Sequence, residues 1–314
     1  MTQQRSIFIG GCPRSGTTML GSILGAAKGC VVTPESHFKQ TLLQSQSTSY
    51  KLDIDRDQLF SEMERNFRFK IWQTALPERS TCPPQLTPSD YSKLIRHLVD
   101  QYAQAHGTTD WQTWIDHTPQ NIQNTEMLMH LFPKSKFIHL VRDPRAIAAS
   151  VLPLDWGPDT GKEAAIFWAQ KLAYGLSLEQ NHPDRCLRVY FEDIIRTPKK
   201  TISGICEFCG IEYHDSMLEG GAFQLPKYTQ KQHQLVGGRP DPSRLDAWRK
   251  QLDVWQISTI ENTLGDLLPQ MGYDLSAPST LPKQPFTQKV RLNLMPLLSF
   301  FKKIRFTIKK KLYG

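Results

Sequence analysis

The sequence predicts an α/β fold, a central parallel sheet flanked by helices, and three observations lead to it. Strand-like and helix-like stretches alternate at both ends of the first two hundred residues. A glycine-rich string at residues 10–18 lies between an apolar strand pattern and an amphipathic helix pattern. The 314 residues are 39% hydrophobic with seven Trp, enough to bury a sizeable core, and no run approaches the roughly 18 apolar residues of a membrane span. Disordered, collagen-like and integral helical membrane classes are thereby excluded.

The elements follow in order. Ile7-Phe8-Ile9 is the first strand, and a helix is expected from about Thr17 to Lys28. Val31-Val32 is a second short strand, ending in the polar turn Thr33-Pro34-Glu35-Ser36-His37. Residues 40–115 mix a helical patch at 91–102 with Pro- and Ser-rich stretches at 44–49 and 77–88, and are expected to form a variable helical cap. Residues 136–142 form a strand, after which Asp143 as N-cap and Pro144 at the first helical position open a helix through Ile147 and Val151. Residues 185–191 form the next strand, leading into a helix begun by Thr197-Pro198 and stopped by Gly210. Residues 248–271 are helical in pattern, and Pro278, Pro282 and Pro285 mark a linker. The expected organisation is a domain over residues 1–281 and a tail over 282–314.

The net charge of +8 is a property of that tail, which holds nine Lys and Arg and no acid; the body carries 29 basic against 30 acidic groups. A neutral body implies no nucleic-acid partner. Leu294, Leu297, Leu298, Phe301, Ile304, Ile308 and Leu312 fall on one helical face of the tail, with Lys302, Lys303, Arg305, Lys309, Lys310 and Lys311 mostly off it. Such a segment suits the surface of an anionic bilayer or a partner, ahead of a helix packed on the body or a disordered tail that binds anions loosely. Six cysteines are too sparse for a disulfide scaffold and nothing resembles a secretory leader, so the expectation is a cytoplasmic protein, peripheral at the inner face of a membrane if the tail binds one. Cys206 and Cys209 read as buried thiols on a helix face, and no metal site is expected.

The string Gly10-Gly-Cys-Pro-Arg-Ser-Gly-Thr-Thr18 has the context of a phosphate cradle, in which backbone N–H groups and a helix N-terminus converge on one anion. From Gly11 it matches the nucleotide-hydrolase pattern except that Thr17 stands where the lysine would be, and the loop's cation is Arg14. Pro13-Arg-Ser-Gly-Thr-Thr18 resembles the 5′-phosphosulfate loop of sulfotransferases that use 3′-phosphoadenosine 5′-phosphosulfate (PAPS). Val141-Arg-Asp-Pro-Arg145 with Ser150 resembles the same family's 3′-phosphate motif. Asp116-His-Thr-Pro119, Val189-Tyr-Phe-Glu-Asp193 and the Trp248 segment are similar in order and spacing, so the resemblance spans residues 6–275. It implies a P-loop nucleotide-binding fold, PAPS as co-substrate without metal, and a donor site of Cys12, Pro13, Arg14, Ser15, Gly16, Thr17, Thr18, Arg142 and Ser150. Arg145 is expected on a solvated face. Phe191, where many relatives have tyrosine, is given no contact.

A donor with negative charge at both ends of an adenosine needs two anion sites, and both the loop after Ile9 and Arg142 lie at the C-terminal edge of the sheet, where such folds bind ligands. Transfer to a hydroxyl also needs a base. Glu35 stands 21 residues after Arg14, the spacing at which the resemblance places a catalytic glutamate. His117, at a position that is often lysine in related sequences, is the competing base, and His37 an outsider. The expected reaction is in-line transfer of a sulfuryl group to an acceptor hydroxyl of unknown class. The rival readings are an ATP- or GTP-dependent small-molecule kinase and a non-catalytic nucleotide-binding membrane adaptor.

Overall fold

The computed structural model describes residues 4–39, 54–220, 241–276, 299, 302 and 304–307. Five parallel strands form the central sheet: β1 (Arg5–Gly11), β2 (Cys30–Val32), β5 (Thr113–Asp116), β6 (Lys136–Val141) and β7 (Cys186–Tyr190), in the order β2-β5-β1-β6-β7. β1 is paired on both edges, Ile7 with Ile115 and Ile9 with Ile138. That position explains its unbroken apolar run, since a central parallel strand is covered on both faces. Phe8 points to one face, among Trp114, Phe132 and Phe137; Ile7 and Ile9 point to the other, among Leu20, Ile23 and Ile205.

The second face is covered by α1 (Thr17–Gly25) and α9 (Pro198–Cys209), the latter begun by Thr197-Pro198 and stopped by Gly210 at φ 65°, as the sequence predicts. Cys206 and Cys209 are buried on it as free thiols. The face around Phe8 is covered by α4 (Pro88–Ala105) and α5 (Thr125–Leu131). Thr87 and Asp90 close a reciprocal capping box at the start of α4, and Tyr91, Leu94, Ile95, Leu98, Val99 and Tyr102 form its buried stripe. Between α1 and α4 the chain builds a small cap: the antiparallel pair β3 (Ile54–Asp55) and β4 (Gln85–Leu86), with α2 (Arg56–Arg65) and α3 (Phe67–Ile71). Its residues Leu59, Phe60, Met63, Phe69 and Trp72 share one core cluster with Phe8, Trp114 and α4.

The structure amends four sequence expectations. The segment 40–115 is not all cap, because 113–116 is β5, which lies between β2 and β1 in the main sheet. Four residues, Thr-Trp-Ile-Asp, were too few to show a period. Residues 161–181 form α7, the longest helix described, opened by a Thr160–Glu163 capping box. The strand at 186–190 leads first into a short helix, α8 (Phe191–Arg196), and only then into α9. The 248–271 stretch is three helices, α10 (Trp248–Gln251), α11 (Val254–Leu264) and α12 (Leu267–Gln270), divided where Asp253 caps the backbone N–H of Gln256 and where Gly265 takes φ 53°. α6 (Pro144–Val151) starts as predicted, with Asp143 accepting from the Arg145 backbone.

The Ser-rich stretch at 44–49, the prolines at 278, 282 and 285 and most of the tail lie outside the described residues, including Leu294, Leu297, Leu298, Phe301, Lys303, Ile308, Lys309, Lys310, Lys311 and Leu312. Of the tail residues that are described, Lys302 donates to Asp159 and to the Leu152 carbonyl, and Arg305 pairs with Asp155. Ile304 and Phe306 are exposed. Among the described residues no helix is long and apolar enough to cross a membrane.

Candidate active site

The loops that follow β1, β2, β5 and β6 all leave the sheet at its C-terminal edge, and each carries a residue singled out from the sequence: Arg14, Glu35, His117 and Arg142. The β1–α1 loop turns through two left-handed residues, Arg14 at φ 76° and Gly16 at φ 98°. At Gly16 a Cβ would stand 2.7 Å from the Phe191 ring, so the loop is shaped around that aromatic side chain. Cys12 accepts from the Ser15 N–H, and Ser15, Thr17 and Thr18 are buried at the start of α1, whose first N–H groups have no acceptor within the helix. Cys12 is buried among apolar neighbours, and that burial pushes its thiol well above its ordinary pKa.

Three of the expected donor residues are linked directly. Arg14 Nε donates to Ser150 Oγ at 2.9 Å, and Arg142 Nη1 donates to the Arg14 carbonyl at 2.9 Å. The Arg142 guanidinium lies 4.1 Å over the Phe191 ring, and Trp168 of α7 holds the Arg142 backbone carbonyl through its indole N–H at 2.9 Å. Burial lowers the Arg142 pKa to about 10, with the charges of Arg14 and Arg244 adding to the fall and Glu192 and Asp143 opposing it. Arg14 is also pulled down by burial. Two partly desolvated guanidinium groups brought this close form a site that an anion would stabilise. Phe191, given no contact from the sequence, is thus the platform under both the loop and Arg142.

Arg145 is not on a solvated face. It is 3% exposed, bonded to Asp143 and, at 2.6 Å, to Glu261 of α11, and stacked 4.4 Å from the Trp248 ring. One residue of the motif therefore faces the ligand edge, and the other ties α6 to the C-terminal helices.

On the opposite side of the loop, Glu35 Oε2 accepts from His37 Nε2 at 2.8 Å and from Arg68 Nη1 at 3.2 Å. Burial alone would raise the Glu35 carboxyl; the hydrogen bond and charge of His37, then the charges of Arg68 and His117, outweigh it and bring the pKa down to about 2. His117 is buried, its ring packed against Gly21 of α1, and burial lowers its pKa despite the charges of Glu35 and Asp116. His37, an outsider from the sequence, belongs to the Glu35 group.

Two participants left no sequence signal. Lys39 is fully buried and donates to Ser36 Oγ, Asp116 Oδ2 and Asn121 Oδ1 at 2.7–2.8 Å, while Asp116 also accepts from Ser36, the Thr118 N–H and Asn121. Asn121 reaches on to the Ile9 carbonyl at the end of β1. This satisfied ionic network fixes the β2, β5 and β1 edges relative to one another. Arg68 arrives from the cap, 33 residues away from its partner.

A phosphate loop with arginine as its cation, a second guanidinium site on the neighbouring strand and a carboxylate across the edge define a P-loop transferase of anionic groups. The chain belongs to the sulfotransferase family: residues 6–215 match the family model described as "Sulfotransferase family". It is 23% identical over 293 residues to protein-tyrosine sulfotransferase 2 of Gallus gallus, covering 85% of this chain and 69% of that one. It is 24% identical over 287 residues to protein-tyrosine sulfotransferase 1 of Danio rerio, covering 85% and 72%. The sulfotransferase domain of the Synechococcus PCC 7002 olefin synthase shares the fold at a TM-score of 0.54 and 24% identity, over 88% of this chain and 97% of that one. The chain is a sulfotransferase enzyme, and its chemistry is sulfuryl transfer.

Proposed function

We propose that the donor is PAPS, that the acceptor is a hydroxyl, and that Glu35 is the base. The observation that carries the donor reading is the direct linkage of two anion sites: Arg14 on Ser150 and Arg142 on the Arg14 carbonyl, at the N-terminus of α1. Such a pair suits a nucleotide charged at both its 5′ and 3′ ends, and Thr17 in place of a lysine speaks against a triphosphate. Bound there, the donor supplies an electrophilic sulfur and a phosphate leaving group. Arg14 and the first N–H groups of α1 would neutralise charge on the leaving side. Arg142, propped on Phe191 and held by Trp168, would fix the 3′ end. Arg14 and Arg142 are guanidinium cations on the donor side of this edge, and Lys39 is committed to Asp116 on the other.

Both groups are held in a form that can accept a proton, Glu35 as a carboxylate and buried His117 towards its neutral imidazole, and the preference for Glu35 rests on its place after β2 at the spacing the resemblance implies. We assign Glu35 the acceptor proton and His117 a supporting position. The acceptor hydroxyl would enter between the β2 edge and the cap; a tyrosyl hydroxyl is one candidate, from what the relatives' names say of those proteins. The tail proposal divides likewise: Lys302 and Arg305 are engaged by Asp159 and Asp155, which supports a body-packed segment over a bilayer contact. The deciding experiment for the donor is calorimetry with PAPS, ATP and adenosine 5′-phosphosulfate, with PAPS expected to bind tightest. Tighter ATP binding would overturn the donor assignment.

A further inference from the structure

Resting on the base reading of Glu35, we propose that Arg68, carried by the cap helix α3, is a positioning residue for transfer: its guanidinium holds the Glu35 carboxylate in place and couples the cap to the base. The contact is built into the fold rather than a chance pairing of surface side chains. Glu35 has 19% of its side chain exposed and Arg68 30%, and they meet at 3.2 Å. Arg68 is fixed at the start of α3, where its own N–H donates to the Asn66 cap. The next residue, Phe69, packs edge-on against Phe38 at 5.5 Å, and Phe38 also meets Trp72 at 5.2 Å. Phe38 lies on the turn that bears Glu35 and His37, so the aromatic contact and the ion pair join the same two segments.

Both Arg68 and His37 engage Oε2. Two donors on one oxygen fix the plane of the carboxylate, and their charge makes its protonated form costly. The other charged groups around Glu35 are Arg14 of the phosphate loop, His117 after β5 and Lys39 of its own turn; Lys39 is also committed to Asp116. Arg68 is the one member of this set that comes from the cap, beside which the acceptor is proposed to enter. A displacement of α3 is therefore felt at the base as a change in proton affinity.

The test is made on the full chain saturated with 3′,5′-adenosine bisphosphate, following the Glu35 carboxyl by carbon NMR. In the wild type the carboxylate is expected to stay ionised down to the lowest pH at which the fold persists. Arg68→Gln should raise its proton affinity about tenfold, and Arg68→Glu further, because two carboxylates sharing a site cannot both ionise easily. Arg68→Lys should restore most of the wild-type behaviour, and none of the three should change affinity for the bisphosphate. Single-turnover transfer from labelled PAPS to p-nitrophenol then closes a double-mutant cycle: Arg68→Gln should slow transfer in the wild-type background and cost nothing on top of Glu35→Gln. A carboxyl titration identical in wild type and Arg68→Gln, or additive losses in the cycle, overturns the proposal. Wild-type transfer by Glu35→Gln removes the base reading and the catalytic role of Arg68 with it, and is recognisable because the titration shift would still be seen.

Discussion

Arg14 adopts φ 76°, a region that costs a residue with a Cβ about 1–2 kcal/mol, and such strain persists only where the surroundings over-determine it. Here the Ser150 hydroxyl holds the side chain and Arg142 holds the carbonyl. Arg14→Ala removes the loop's cation and leaves an alanine in the same strained backbone, so PAPS binding and transfer should both collapse while the circular dichroism spectrum is kept. At Glu35 the expected split is different. Glu35→Gln should bind PAPS almost normally and lose roughly 10² to 10⁴ in kcat, the usual loss for a general base, with His117→Asn costing less. Since the folded-state pKa of Glu35 lies below its unfolded value, its contribution to stability is present above about pH 5 and disappears as pH falls towards 2. The full contribution is roughly 3 kcal/mol by the usual conversion of pKa shift to free energy. Urea denaturation of Glu35→Gln should accordingly show a flatter loss of stability between pH 5 and pH 3 than wild type. The strings bearing Arg14, Arg142 and Ser150 stood out because each is short and continuous in sequence, although the bonds that join them span 128 and 136 residues. Lys39 and Arg68 did not, because nothing local marks their pairing with Asp116 and Glu35, 77 and 33 residues away.

At the scale of elements, α7 shows how a helix can be tuned to one side chain. His139 of β6 is 1% exposed and bonded to Glu179 at 2.5 Å, and Glu179 in turn accepts from Arg188 of β7. Its imidazole fills the notch left by Gly175, where a Cβ would lie 2.0–2.3 Å from three ring atoms. Gly→Ala inside a helix ordinarily gains about 1 kcal/mol. Gly175→Ala should instead destabilise by about 1–3 kcal/mol, because the buried ring is tied through Nδ1 to Glu179 of the same helix and cannot back away from the new methyl group. Thermal melting of that variant checks the sign. Element starts were readable wherever caps and prolines coincide, as at Asp143-Pro144 and Thr197-Pro198, since both act on the first helical turn alone. β5 was unreadable because its identity as a strand comes from its neighbours on either edge, Val31 beside Trp114 and Ile7 beside Ile115. The break in the C-terminal helices depends on Asp253 and Gly265, residues that also occur harmlessly within or beside helices.

At the scale of the whole molecule, the strand order divides the edge between the two tasks proposed for it. β1 and β6 carry the arginines of the donor side, β2 and β5 carry Glu35 and His117, and β1 is shared between the halves. Arg142→Ala should therefore narrow the affinity gap between PAPS and adenosine 5′-phosphosulfate, which differ in the 3′-phosphate, without changing the response of transfer rate to Glu35→Gln. Calorimetry with the two nucleotides reads the first effect, and a donor ratio equal to wild type would return Arg142 to a purely structural role.

The shared core of cap and sheet carries a further consequence. Leu59, Phe60, Met63, Phe69 and Trp72 pack in the same cluster as Phe8, Trp114 and Tyr91, so the cap is no detachable module. With the acceptor entering beside the cap as proposed, a descendant of this chain could not acquire a new one by exchanging the segment wholesale, since that would open the interior around β1 and loosen the strand that bears the β1–α1 loop. Diversification is channelled into the outward positions of α2, α3 and their connections, where substitutions leave the aromatic interior whole. Changes of acceptor in such a lineage would come as successive repainting of a fixed wall, each step bounded by what the common interior tolerates.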